Sequence, residues 1–197
     1  WFDDTVKRLN VDARGELLGE FKPTDKILVI SQSGKLKVII PELSTHFDED
    51  MIVLEKWKPK KPISAIYYDG EKERYFLKRF LVENEGKEES FITDHPNSQL
   101  EIVSTDYRPV AQLVFAKVKG VQKDDLHIDV EDFIAVKGFK ALGNQLTTDK
   151  LKQVNLLDPL PYEEPVEEVP VKPELPEDDD SVETELDDDG QIGLVLE

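Results

Sequence analysis

Apolar residues fall at alternate positions in short runs along most of the chain. Ile27-Leu28-Val29-Ile30 leads into Ser31-Gln32-Ser33-Gly34, after which Leu36, Val38 and Ile40 alternate with Lys35, Lys37 and Ile39. Successive strand residues point to opposite faces, so this spacing predicts two strands around a glycine-bearing turn. Further strands are predicted over 51–54, 63–68, 75–82, 90–93, 100–104, 111–118, 133–136 and 151–156, all rich in Val, Ile, Phe and Tyr. Breakers separate them: Asp69-Gly70, Glu85-Gly86, His95-Pro96-Asn97, Lys119-Gly120 and Gly143-Asn144. No stretch of ten or more residues has the 3.6-residue period of an amphipathic helix. Short, evenly spaced strands predict an all-β sandwich, barrel or propeller-like array.

An internal repeat favours the array. Residues 26–30, a turn and residues 35–39 are echoed by Glu89-Ser90-Phe91-Ile92-Thr93, a turn and Gln99-Leu100-Glu101-Ile102-Val103. A third copy is expected to begin at Asp132-Phe133-Ile134-Ala135-Val136-Lys137-Gly138. Repeats of this length with several strands each are what blades look like in sequence.

Charge divides the chain. There are 43 acids and 25 bases among 197 residues, a net of -18, yet residues 158–197 alone carry 16 acids, one base (Lys172) and six of the twelve prolines. Residues 1–157 are close to neutral, with 27 acids and 24 bases. Proline lacks a hydrogen-bond donor and like charges repel, so 158–197 is predicted to be a disordered acidic tail and 1–157 the folded domain. The tail ends in an apolar patch, Ile192 to Leu196. A chain that opens at Trp1 is expected to be a piece of a longer protein. There is no cysteine, which excludes disulfides and thiolate chemistry, and no apolar run long enough to cross a membrane as a helix. A cytoplasmic location is expected.

The candidate chemistry is cationic. Lys56-Trp57-Lys58-Pro59-Lys60-Lys61 packs four lysines around an aromatic ring. It reads either as a loop contacting phosphates or as a solvated turn. Lys35 with Lys37, Lys78 with Arg79, and Lys117 with Lys119 lie on or beside predicted strands. They serve either DNA contact or protection of an exposed strand edge. Lys137 and Lys140 sit among Gly138 and Gly143, glycines that let a backbone come close to a phosphate. His46, His95 and His127 show no metal-ligand spacing, and no nucleophile–base set stands out. In the tail, Glu185, Asp187 and Asp189 imitate the start of a calcium loop, but Leu196 stands where the closing Glu belongs.

Asp25-Lys26-Ile27-Leu28-Val29-Ile30-Ser31-Gln32-Ser33-Gly34-Lys35-Leu36-Lys37 resembles the blade signature in the C-terminal domains of bacterial type IIA topoisomerase A subunits. Val136-Lys137-Gly138-Phe139-Lys140 through Leu146 resembles the basic, glycine-bearing loop of the topoisomerase IV version. Trp1-Phe2-Asp3 through Gly19 is similar to an inter-blade connection. The resemblance implies a β-pinwheel, here of about three four-stranded blades, whose basic rim binds and bends duplex DNA regardless of sequence. It makes Lys35, Lys37, Lys56, Lys58, Lys60, Lys61, Lys78, Arg79, Lys117, Lys119, Lys137 and Lys140 the expected DNA contacts. The family's catalytic tyrosine and metal-binding acids lie outside this region, so no catalytic or metal residue and no cofactor is expected here. For the parent enzyme the resemblance implies Mg and ATP, a B subunit and a homodimer of A subunits. The Gln-Arg-Arg-Gly-Gly-Lys-Gly box of DNA gyrase is reduced to Lys137-Gly138-Phe139-Lys140. That departure favours relaxation and decatenation over active supercoiling. The rival expectation is a propeller-like protein-interaction module that binds through its acidic tail and has no DNA role.

Overall fold

A computed structural model describes residues 1–163. In chain order the first strands are β1 (Phe2–Asp3), β2 (Arg8–Leu9), β3 (Ile27–Ser31), β4 (Lys35–Ile39) and β5 (Met51–Lys56). They are followed by β6 (Ile63–Asp69), β7 (Arg74–Phe80), β8 (Glu89–Ser90), β9 (Gln99–Ser104) and β10 (Val110–Phe115). Then come β11 (Leu126–Asp129), the one-turn helix α1 (Val130–Phe133), β12 (Asn144–Thr147) and β13 (Leu151–Leu157). The expected all-β class holds. Among the described residues no helix is long and apolar enough to cross a membrane.

The strands form four antiparallel sheets, ordered β1-β2, β5-β3-β4-β8, β12-β7-β6-β9 and β11-β10-β13. One wiring rule generates them. Each hairpin (β3-β4, β6-β7, β10-β11) takes a third strand beside its first strand: β5, β9 and β13. A fourth strand pairs with the second strand of the hairpin, and it arrives only after the chain has built the next hairpin. Thus β8 returns to β4 after β6-β7, and β12 returns to β7 after β10-β11. The short β1-β2 pair obeys the same rule through single bridges, Phe2 to Glu16 and Arg8 to His46. The expected inter-blade connection at residues 1–19 is therefore a small sheet of its own.

This wiring corrects the register of the expected repeat. Residues 89–90 and 99–104 are not a hairpin copy of 27–39, because β8 joins one sheet and β9 the next. The true equivalents are β3, β6 and β10, then β4, β7 and β11. Two expected strands also change. Of residues 90–93 only Ser90 is in a strand, and 133–136 gives way to α1, whose N-cap Asp129 accepts a hydrogen bond from the Glu131 N–H. β11 was not expected as a strand, and β12 opens at Asn144 of the expected breaker Gly143-Asn144. At the C-terminal side, the Leu160 N–H reaches the Arg108 carbonyl at 2.9 Å and Tyr162 stacks on Tyr107 at 4.2 Å. Packed structure therefore continues past the expected boundary at 157. The rest of the expected tail, with its calcium-like spacing, lies outside the described residues.

The sheets are stacked, and alternation divides each middle strand between two cores. Leu28 and Ile30 of β3 join Ile63, Ala65 and Tyr67 of β6 in one core. Ile27 and Val29 face the other way, toward Phe2 and Phe47. Ile66 and Leu77 face Ala111, Leu113 and Phe115 of β10. This is why β3 and β6 are almost uniformly buried while β10 alternates strictly, with half-buried Val110, Gln112 and Val114 on its outer face. Each fully buried Leu, Ile or Phe contributes about 1.5–3 kcal/mol, so the doubly covered strands hold the stack together.

The crossing connections have few main-chain pairs, and side chains of the β6-β7 hairpin staple them. Lys78, only 4% exposed, donates to the carbonyls of Phe91 (2.7 Å) and Phe139 (2.8 Å), one on each crossing segment. Its ammonium lies 4.8 Å from the Phe80 ring centre and 5.5 Å from that of Phe139. The Tyr67 hydroxyl donates to the Leu142 carbonyl at 2.9 Å, and Thr93 Oγ1 donates to the buried Asp69 carboxylate at 2.6 Å. Gly143, at φ 97°, lies so close to β7 that a Cβ there would sit 2.3 Å from the Leu77 carbonyl oxygen. Gly143→Ala is expected to lower stability by about 2 kcal/mol or more, combining left-handed strain with a backbone clash; a urea titration measures it. Burial pushes the Lys78 amine down to about 8, against Coulombic support from Glu83. Between that value and the ordinary 10.5 the unfolded chain holds the extra proton, so this group adds stability as pH rises. Wild-type stability measured against Lys78→Met is therefore expected to increase from pH 8 to pH 10. A flat difference would refute the buried-cation account.

Candidate nucleic-acid interface

Strand alternation places Lys35 and Lys37 on one face of β4, opposite the buried Leu36 and Val38 and on the side of the sheet that carries Val29 and Ile39. The two form the expected pair on one face, but neither cation stands alone. Lys35 Nζ is 3.0 Å from Glu88 and Lys37 Nζ is 4.0 Å from Asp48. The hydrogen bond to Glu88 raises the Lys35 amine above its ordinary value. The Lys56–Lys61 segment begins at the end of β5 and forms the connection that carries the chain from one sheet to the next. Lys56 Nζ lies 2.6 Å from Asp25 and 3.0 Å from the Glu20 carbonyl, and it holds the Asp25 carboxyl below its usual range. Lys61 Nζ is 3.4 Å from Glu55 and 3.3 Å from Thr105 Oγ1. Lys58 and Lys60 are exposed on the turn closed by the Lys61 N–H and the Lys58 carbonyl.

Three expectations change. Lys78 and Arg79 are 4% and 5% exposed and cannot reach a phosphate at the surface. Arg79 donates to the Tyr107 carbonyl at 2.7 Å and lies 3.7 Å from Glu131, so both cations are structural staples. Lys117 and Lys119 do not share a strand face, because β10 ends at Phe115. Lys117 precedes the tight turn closed by Val118 and Val121, and Lys119, at φ 49°, lies within it beside Gly120 at φ 85°. In the loop over 137–143, Lys137 Nζ donates to Asn144 Oδ1 at 2.6 Å and Lys140 Nζ lies 3.9 Å from Glu89. The Phe139 N–H is taken by the Glu83 carboxylate at 2.8 Å. Gly143 meets the β7 backbone instead of open space for a phosphate.

The wiring exposes a basic repeat that the one-dimensional pattern hides. Lys22-Pro23, Lys61-Pro62 and Arg108-Pro109 each precede the first strand of a hairpin, β3, β6 and β10. Proline presets φ and keeps its predecessor extended, which suits a chain crossing from one sheet to another. Pro62 and Pro109 stand directly before β6 and β10, so Lys61 and Arg108 occupy the same structural place, whereas Lys22-Pro23 lies further ahead of β3, where Asp25 takes the equivalent position. Lys22 is exposed, while Arg108 is bound to Asp129 at 2.7 Å and Glu131 at 2.9 Å. The hydrogen bond to Asp129 raises the Arg108 value further. The signal was present as a basic-proline dipeptide, but its period is unequal and only the hairpins align it.

No curated protein matches the chain, and no solved structure does. A family model described as Topoisomerase C-terminal domain, Bacteroidota, matches residues 8–158, which run from β2 through the end of β13 and cover well over half the sequence. The sheet array and the blade-like sequence units agree with that match, and the chain belongs to the topoisomerase C-terminal domain family of the Bacteroidota.

Proposed function

We propose that this domain binds and bends duplex DNA without reading its sequence, presenting it to the catalytic core of a type IIA topoisomerase A subunit. The observation that carries this reading is the match of residues 8–158 to the topoisomerase C-terminal domain family, in a fold whose inter-sheet connections carry Lys22, Lys58, Lys60, Lys61 and Arg108. Cations on such connections can neutralise a phosphate backbone, and phosphate contacts alone carry no base preference. Lys35, Lys37, Lys56, Lys117, Lys119, Lys137 and Lys140 are the further cations of the proposed contact. The domain itself performs no chemistry. Relaxation and decatenation by the parent, with Mg, ATP, a B subunit and a second A subunit, in the cytoplasm on the nucleoid, complete the proposal.

Acidic partners set the strength of binding. Lys35, Lys56, Lys61 and Lys140 each have a carboxylate within 4 Å. DNA must replace these pairs, so affinity is modest and falls steeply with salt. The same pairing favours the rival reading, a protein-interaction module, and the experiment separates the two. Fluorescence anisotropy of the full chain with random-sequence duplex is expected to show binding that weakens about ten-fold or more from 50 to 200 mM salt. Replacing Lys56, Lys58, Lys60 and Lys61 with Glu is expected to weaken it by a similar factor. Absence of binding at low salt would replace the DNA reading with the interaction module.

A further inference from the structure

We propose that the outer edge of β11 is a docking site for a basic, extended segment of a partner protein, which adds to the third large sheet as its fourth strand. The wiring rule supplies the first argument. The second strand of every other hairpin is covered on its outer side: β2 by the His46 bridge, β4 by β8 and β7 by β12. Among the described residues β11 pairs only with β10.

Edge chemistry supplies the second argument. Long edge strands are normally blunted by bulges, proline or lysine, because open main-chain groups recruit other strands. The ladders of edge strands β5, β9, β12 and β13 all contain register shifts, and edge strand β8 has only two residues. β11 runs through four regular pairs with β10 and contains neither proline nor lysine. The Val130 N–H goes to the Pro109 carbonyl at 3.1 Å. By antiparallel alternation, His127 turns both of its main-chain groups outward and Asp129 its N–H, while the Asp129 carbonyl, at the N-cap of α1, belongs to the helix. Leu126, 48% exposed, offers an apolar contact at the same edge.

Charge selects the partner. Residues 124–132, Asp-Asp-Leu-His-Ile-Asp-Val-Glu-Asp, hold five acids and no base. Arg108 neutralises part of this charge through Asp129 and Glu131, while Asp124, Asp125 and Asp132 remain exposed. DNA is repelled by such an edge. A second copy of this chain would bring the same acids opposite each other, and residues 158–197 have a net charge of the same sign. A strand of alternating lysine and apolar residues satisfies both the hydrogen-bonding edge and the field.

The test is hydrogen–deuterium exchange of the full chain with the peptide Lys-Val-Lys-Val-Lys-Val-Lys. Slowed exchange over residues 126–130 is the expected result. An analogue with Glu in place of Lys is expected to leave that exchange unchanged. His127→Pro removes only an outward N–H and keeps the β10 ladder, so it is expected to abolish the protection while far-UV circular dichroism stays unchanged. Asp124→Lys with Asp125→Lys tests the field without touching the backbone, and it is expected to weaken peptide binding about ten-fold. The proposal is overturned if 126–130 gains no protection, if the Glu peptide protects equally, or if both variants bind as wild type.

Discussion

A buried lysine holds the exchanged strands in place. Two of the sheets borrow their fourth strand from chain that has already built the next hairpin, and β8 contributes only Glu89 and Ser90 to that exchange. So short a strand cannot fix its own register through main-chain bonds. Lys78 meets the need from the centre of the β12-β7-β6-β9 sheet, with one hydrogen bond to the segment after β8 and another to the segment before β12. Its depressed proton affinity is the cost of keeping an ammonium between two phenyl rings, and that cost is bearable because both carbonyls would otherwise be buried unpaired. Tyr67, Asp69 and Gly143 act on the same two crossings, so the hairpin at the middle of the stack organises its neighbours on both sides.

The same exchange shapes the surface. Because the crossing segments are rich in acids, Glu83, Glu85, Glu88 and Glu89 come to lie against lysines or main-chain donors of other elements. Each such pair is individually weak at an exposed site. Collectively they leave lysines that are already matched, so under the proposed function DNA would be a competitor for them and not their first partner.

An array of exchanged strands has a third consequence at its last sheet. On the outer face of β10, between the half-buried Val110 and Val114, Gln112 accepts a hydrogen bond from Asn155 of β13 at 3.0 Å. The β11 edge is different. Its backbone groups follow from the wiring, while its acids come from the local sequence, and only together do they define a recognition surface.

Much of the fold was legible in the sequence because alternation is a local property. The Ile27–Ser31 and Lys35–Ile39 hairpin, β6, β7, β9 and β13 all follow from which side chains point inward. The acidic tail composition was equally plain. Tertiary structure alone decided which sheet each returning strand joins, since Glu89-Ser90 and Asn144–Thr147 carry no periodic signal and their partners lie tens of residues away. It also decided which cations are available. Lys35 and Lys78 look alike as letters on a strand, but one is exposed beside Glu88, and the other is enclosed by two chain crossings that no local window contains.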